Sequence, residues 1–275
     1  MPASASMKLL LIGHGYLGKA LARVFREAAW EVIPVSRSGT DGCFACDVGN
    51  PAAVNTLPPA DFIVHCAASG HGGPAAYRHV HVDGCRNLAN RFPGVPLLFT
   101  SSTSVYGQTD GSVVTEESPT LPDRETSRLL LEAERITLAA GGVVARLAGI
   151  YGPCRSVILQ KFLAGEAVIE EDGHRFLNQI HRDDAARAIF HLATLPNARS
   201  AVFNVCDSTP LSQLATYLKL SRIFKRQLPP TGPRNPNRKR GWTHKHVSNT
   251  KLIATGWQPE FPSFLAAAPA IAGTL

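Results

Sequence analysis

The residues of this chain with the clearest chemical use are the glycines of the run Gly13-His14-Gly15-Tyr16-Leu17-Gly18. Glycines at this spacing suit a turn that leaves a strand, lets backbone approach a pyrophosphate, and then lets a helix pack on that strand. The N–H groups at the helix start would face the phosphate oxygens, where the peptide dipoles also favour negative charge. The run follows the apolar stretch Lys8–Ile12 and opens a helical pattern from Tyr16 to Ala29. That context distinguishes a nucleotide cradle from a glycine-rich turn without a ligand. The ligand it predicts is a dinucleotide, held by Gly13, Gly15, Tyr16, Leu17 and Gly18.

A second chemical choice falls at the end of the next apolar run, Glu31 to Ser36. A site selective for NAD places an Asp or Glu there, to accept hydrogen bonds from the adenosine ribose. Here the residues are Ser36, Arg37 and Ser38. A guanidinium and hydroxyls can bind the 2′-phosphate that a carboxylate would repel, so NADP is favoured over NAD. The alternative is that Arg37 stacks on adenine or points to solvent.

These residues need a scaffold that brings strand ends together. Short apolar runs at Lys8–Ile12, Glu31–Ser36, Phe62–Ala67, Pro96–Ser101 and Val143–Ala148, with a shorter one near Cys43–Cys46, alternate with helical patterns at Tyr77–Arg91 and Thr126–Ala140. Alternation of this kind predicts βαβ units, and continuous apolar strands fit a sheet covered on both faces. The expected fold class is α/β, a Rossmann doubly wound parallel sheet with a small C-terminal substrate lobe. Residues 1–150 read as the NAD(P)-binding domain. Residues 151–275 read as a mixed segment, part completion of the Rossmann sheet and part substrate lobe. In it, helices are expected near Val157–Ala164 and Arg182–Leu195, with a strand at Ala201–Cys206.

Composition narrows the setting. The chain has 275 residues, 44% hydrophobic and 18% charged, enough to bury a full core. No stretch nears the roughly 20 apolar residues of a membrane span, and the N-terminus lacks the pattern of a signal peptide, so a soluble, cytoplasmic protein is expected. The cysteines do not form the framework of a small secreted domain. Cys43 and Cys46 make a CxxC with no second pair to complete a zinc site, and they read as buried thiols. His71, His79 and His81 match no metal spacing, so no metal is expected.

The net charge of +7 is concentrated between Arg222 and Lys245, where eight Lys or Arg residues occur without an acid. Pro229, Pro230, Pro233 and Pro236 exclude a regular helix there. The stretch around Arg234, Arg238, Lys239 and Arg240 reads either as a solvated loop or as a loop closing over an anionic ligand. Nucleic acid is not expected, because no recognition-helix motif accompanies the charge and Trp242 is the sole interleaved aromatic.

The chain resembles the extended and atypical short-chain dehydrogenase/reductases, in particular bacterial proteins of the NAD-dependent epimerase/dehydratase kind. The resemblance rests on GHGYLG at 13–18, CDV at 46–48, DFIVHCAAS at 61–69, HVDGCRNL at 81–88, FTSSTSVYG at 99–107, RLAGIYGP at 146–153, HRDDAARAI at 181–189 and FNVCD at 203–207. It implies that Asp47 and Val48 flank the adenine and that Cys66, Ala67 and Ala68 line the cofactor. It also implies that Ala148 to Ile150, Gly149 among them, lie near the nicotinamide side, and Ser101 counts among the cofactor-binding residues. Pairing of two copies through helices flanking the sheet would likewise follow from it.

The family's reaction uses a Ser or Thr after the fifth strand and a YxxxK on the next helix. Ser102 takes the first role. Alignment through Glu132 puts Arg124 and Arg128 on the tyrosine and the lysine. An arginine can hold the nicotinamide ribose but titrates too high to relay a proton, so Arg128 reads as a cofactor anchor. The proton donor is then sought among Glu125, Tyr106, Tyr151 and His181. Three of them have a structural alternative: a solvated helix-start carboxylate for Glu125, a packed aromatic for Tyr106, a structural imidazole for His181. Asp183 or Asp184 reads as a helix cap. The expected function is an NAD(P)-dependent oxidoreductase or epimerase/dehydratase acting on a polar, anionic small molecule such as a sugar or nucleotide sugar. The alternative is a non-catalytic NAD(P)-binding sensor or scaffold with a degenerate YxxxK.

Overall fold

The computed structural model describes residues 6–70, 72–196, 198–234 and 242–275. They divide into two compact units, each assembled from separate stretches of chain. The first comprises Met1–Val105, Pro122–Arg146 and Ala186–Phe203; the second comprises Tyr106–Leu121, Leu147–Ala185 and Asn204–Leu275.

The first unit is built on a seven-stranded sheet. Its strands are β1 (Lys8–Ile12), β2 (Glu31–Ser36), β3 (Phe44–Ala45), β4 (Phe62–His65), β5 (Leu97–Ser102), β7 (Val143–Leu147) and β12 (Ala201–Val205), the last two running on into the second unit. The order is β12-β7-β5-β4-β1-β2-β3, and the pairings from β3 through β5 are parallel. The order therefore reverses between β1 and β4, where a doubly wound sheet opens a crevice at its carboxyl ends. Leu9, Leu10, Leu11, Ile63 and Val64 at the centre of this sheet are at most 1% exposed, as expected of strands covered on both faces.

Helices α1 (Tyr16–Glu27), α2 (Pro51–Val54), α3 (Pro74–Tyr77), α4 (Gly84–Arg91) and α5 (Glu125–Ala139) belong to this unit. The helix expected over Tyr77–Arg91 is not uniform. Between α3 and α4, residues Arg78–Asp83 form a π-helical turn, a wider coil that hydrophobic periodicity does not register.

The second unit has a core of Tyr151, Leu159, Phe162, Ile169, Tyr217, Leu220, Phe264 and Ile271. Around it lie α6 (Val157–Leu163), α8 (Gln213–Phe224), α9 (Thr250–Ile253) and α10 (Phe264–Ala272), while α7 (Arg182–Thr194) begins here and continues into the first unit. Its strands are short and paired two by two: β6 (Val113–Val114) with β15 (His246–Val247), β8 (Gly149–Tyr151) with β11 (Gln179–His181), β9 (Ile169–Glu170) with β14 (Thr231–Gly232), and β10 (Phe176–Leu177) with β13 (Leu211–Ser212). Among the described residues, no helix is long and apolar enough to cross a membrane.

Candidate functional site

The glycine loop joins β1 to α1 at the point where the strand order reverses. Gly13 has φ 102°, and a Cβ on it would fall 2.5 Å from the Ala67 nitrogen. A Cβ on Gly18 would fall 2.0 Å from the Gly13 carbonyl oxygen, so α1 rests directly on the turn. Gly15 differs, because nothing lies within 4 Å of where its Cβ would be. Two glycines are thus needed for packing, and the third faces open space at the helix N-terminus, as a pyrophosphate requires. The residues present fit a dinucleotide's diphosphate.

The loop is tied from behind. The Cys66 thiol donates to the Gly13 carbonyl at 3.2 Å, and burial pushes that thiol up to about 12, keeping it protonated as a donor. Beside it, His14 Nδ1 lies 3.3 Å from Cys43 Sγ, and burial, followed by Lys19 and Arg26, lowers the imidazole below its usual value. Cys46 is buried as expected, whereas Cys43 is half-buried and lies beside His14 of this loop. Ala67 is half-buried and Ala68 exposed, while Tyr16 and Leu17 form the first turn of α1, with Leu17 in the core.

At the end of β2, Ser36 Oγ accepts from the Gly39 N–H, Ser38 Oγ bonds Thr40 Oγ1 at 2.9 Å, and Arg37 is exposed. Asp47 follows the neighbouring strand β3, and Val48 beside it is buried. Burial pushes the Asp47 carboxyl upward, but a hydrogen bond from His79, the Gly49 N–H and the charges of His79 and Arg37 bring it below the ordinary carboxylate range. His79 was not among the residues expected in a site. It sits in the π-helical turn 32 residues away, where no local motif links it to Asp47.

The serine of the reacting end is also part of a group that spacing did not suggest. Ser102 Oγ accepts from the Ser104 N–H at 3.2 Å, and the Ser127 hydroxyl on α5 lies 3.2 Å from Ser104 Oγ. The hydroxyls therefore run from the end of β5 to the first turn of α5. Ser101 points the other way. Its hydroxyl donates to Glu134, which is held by Arg146 through Nη2–Oε2 at 2.7 Å with both side chains buried. The expected cofactor role of the Ser101 side chain is corrected: it serves a buried ion pair. On α5, Arg128 is exposed and donates to the carbonyls of Pro122 and Asp123, at 3.5 and 3.1 Å. Glu125 is exposed in the first turn of α5.

In the second unit, Tyr106 is 0% exposed and its hydroxyl donates to Asn204 Oδ1 at 2.8 Å. The packed-aromatic alternative describes it, and the expectation that it donates protons is corrected on that ground. Tyr151 is buried against His181 and Phe264, with ring centroids 5.4 and 5.1 Å away. Burial, then Asp207 and Asp184, push its phenol far above the usual value. His181 is buried, accepts from the Asp183 N–H at 3.3 Å and packs 4.1 Å from the Phe261 ring. Asp184 accepts from the Glu260 and Phe261 N–H groups at 2.9 Å each, holding a distant segment. Gly149 lies in β8 and donates to the Asn178 carbonyl.

The basic segment is more engaged than a free loop. Arg234 forms an ion pair with Glu171 at 2.7 Å and stacks 3.6 Å above the Trp242 ring. Lys245 is 4% exposed and donates to the Tyr106 carbonyl. Of the cations read either as a solvated loop or as closing over an anionic ligand, Arg234 is paired with Glu171. Arg238, Lys239 and Arg240 lie outside the described residues, as does His71.

Comparison with known proteins agrees with this architecture. Protein YeeZ of Escherichia coli strain K12 is 29% identical over 240 residues, covering 79% of this chain and 84% of that protein. The human epimerase family protein SDR39U1 (isoform 2) with NADPH superposes with a TM-score of 0.82 at 20% identity, covering 98% of this chain and 100% of that one. The UDP-glucose 4-epimerase of Thermotoga maritima with UDP-glucose superposes with a TM-score of 0.81 at 18% identity, covering 98% of each chain. The sequence profile of the NAD dependent epimerase/dehydratase family matches residues 9–206. With its glycine loop at the switch point of a seven-stranded Rossmann sheet, the chain belongs to the NAD-dependent epimerase/dehydratase family.

Proposed function

We propose that this chain is an NADP-using enzyme of the epimerase/dehydratase kind whose substrate is a polar, anionic small molecule of the nucleotide-sugar class. The observation that carries the reading is the glycine loop, with its middle glycine open and its outer two closely packed. Preference for NADP is supported by Arg37, Ser38 and Thr40, which place one cation and two hydroxyls beyond β2, whose last residue is Ser36 rather than a carboxylate. The substrate class is supported by the fold shared with the Thermotoga maritima epimerase that holds UDP-glucose. The second unit would supply the substrate lobe, and the protein would work in the cytoplasm, with pairing of two copies through sheet-flanking helices as a further part of the reading.

When bound, the dinucleotide supplies a carbon that accepts or gives hydride. The chain's part is to bind and orient. Ser102 would polarise the reacting oxygen by donating its hydroxyl proton in a hydrogen bond, while the Ser104 N–H bonded to Ser102 Oγ fixes its direction. Arg128 would hold the nicotinamide ribose after leaving the Pro122 and Asp123 carbonyls. No tyrosine of α5 is available for proton exchange, and Arg124 occupies its place.

That last point favours a second reading, a protein that binds dinucleotide without turnover. Calorimetric titration with NADP, NAD and their reduced forms, repeated with Arg37→Ala, tests the first part. Binding of NADP at least about tenfold tighter than NAD, lost in the variant, is the expected result. Absence of binding to every dinucleotide would end both readings. A nucleotide-sugar screen monitored by nicotinamide absorbance separates them: turnover abolished by Ser102→Ala supports the enzyme, and tight binding without turnover supports the sensor.

A further inference from the structure

We infer that His79 is a positioning residue of the adenine end of the dinucleotide site, and that it fixes the Asp47 carboxylate so that one oxygen is presented to the adenine amino group. The inference rests on the dinucleotide reading above and assigns a residue that reading does not contain.

The topology places the adenine. A dinucleotide whose diphosphate lies at the β1–α1 turn carries its adenosine ribose past the end of β2. The base then reaches β3, which pairs with β2 through Val35↔Phe44 and Ser36↔Ala45. Asp47 stands two residues beyond the end of β3 and near enough to Arg37 to feel its charge. A carboxylate there is an acceptor suited to an exocyclic amine.

His79 determines how that carboxylate is turned. Its Nε2 lies 2.8 Å from Asp47 Oδ1 and 3.0 Å from Oδ2, and the Gly49 N–H also donates to Oδ1 at 3.1 Å. Oδ1 therefore has two donors and Oδ2 shares one, which leaves Oδ2 with the greater capacity for another donor. The imidazole also lies against the turn itself. A Cβ on Gly49 would fall 2.4 Å from the His79 ring, so the contact needs glycine at that position. The neighbouring charges are directed elsewhere, since Arg78 pairs with Glu132 at 3.2 Å and Asp83 with Arg86 at 3.0 Å. His79 and Asp47 are 47% and 39% exposed, so their contact contributes little to stability and is free to serve orientation. The π-helical turn that carries His79 is a rare local geometry, frequent at functional sites.

The test is calorimetric titration of the full chain with NADP and with its deamino form, in which the adenine 6-amino group is replaced by oxygen. The wild type is expected to bind the deamino form about tenfold more weakly, the scale of one hydrogen bond to a charged acceptor. In His79→Ala, NADP should weaken by about that factor while the deamino form stays unchanged, so that discrimination disappears. His79→Gln, which keeps a donor near the Nε2 position, should restore most of it. Gly49→Ala should mimic His79→Ala and add nothing in the double variant. Should His79→Ala fail to fold, Gly49→Ala carries the same test. Equal weakening of both ligands, or discrimination retained without His79, would overturn the inference, as would a wild type indifferent to the amino group. Failure of the dinucleotide reading is distinguishable, because the wild type would then bind neither ligand.

Discussion

Gly15 and Gly18 are three residues apart, and the structure requires opposite things of them. Alanine at Gly15 meets nothing, and its φ of −85° suits any residue, so Gly15→Ala should leave thermal stability within about 0.5 kcal/mol of wild type. The same methyl would occupy the pyrophosphate's approach, and dinucleotide affinity measured by calorimetry should fall at least about tenfold. Alanine at Gly18 would press on the Gly13 carbonyl, costing about 1–3 kcal/mol in a denaturant melt before any ligand is added. If Gly15→Ala binds NADP like wild type, the loop is not a phosphate cradle. The glycines were readable from sequence because their chemistry depends on spacing along a few residues. His79 and Ser127 were not, because each acts on a residue that only folding brings near.

At the level of elements, the first half was legible and the second much less so. Apolar runs of four to six residues announced β1, β2, β4, β5 and β7. Two-residue strands such as β9, β10 and β14 carry no periodicity, since a period of two needs several residues to register. Helix α8 is poorly legible in the sequence, because cations and prolines follow directly on it. It ends not at a glycine but at Lys225, in the left-handed region with φ 51°. The Glu134–Arg146 pair was hidden for a different reason: an acid on a helix usually faces solvent. It joins α5 to β7 and receives the Ser101 hydroxyl of β5. Glu134→Ala, which leaves the Arg146 charge buried without its partner, should cost about 3–5 kcal/mol by urea melt. Loss of less than about 1 kcal/mol would mean the pair is solvated in solution.

The two units should respond to pH in opposite directions. In the first, burial lowers His65 to about 4, and burial with the nearby His65 lowers His81 to about 3. Both stay neutral in the native unit, while the unfolded chain takes up protons below about pH 6.5, so stability falls as pH drops from there toward 4. In the second unit, Asp207 is 2% exposed, and burial raises its carboxyl well above the usual range. The native unit keeps that proton where the unfolded chain releases it, so stability falls as pH rises above about 4 toward the raised value. Hydrogen exchange, corrected for intrinsic rates, should show protection in the first unit falling as pH drops below about 6.5 and in the second falling as pH rises above about 4. Asp207→Asn should flatten only the loss that accompanies rising pH; a variant that changes both responses would show that they are not separate.

The chain passes between the two units five times, at 105/106, 121/122, 146/147, 185/186 and 203/204. On the ribosome, the glycine loop, the Asp47 turn and five strands emerge early, yet the edge strand β12 is made only with residues 201–205. The nascent β7 thus waits beside an unfilled edge while residues 148–200 are translated, those up to Ala185 belonging to the other unit, an interval of about 3–10 seconds at ordinary rates. Chaperone dependence during synthesis, rather than instability of the finished protein, is where this interleaving should be felt.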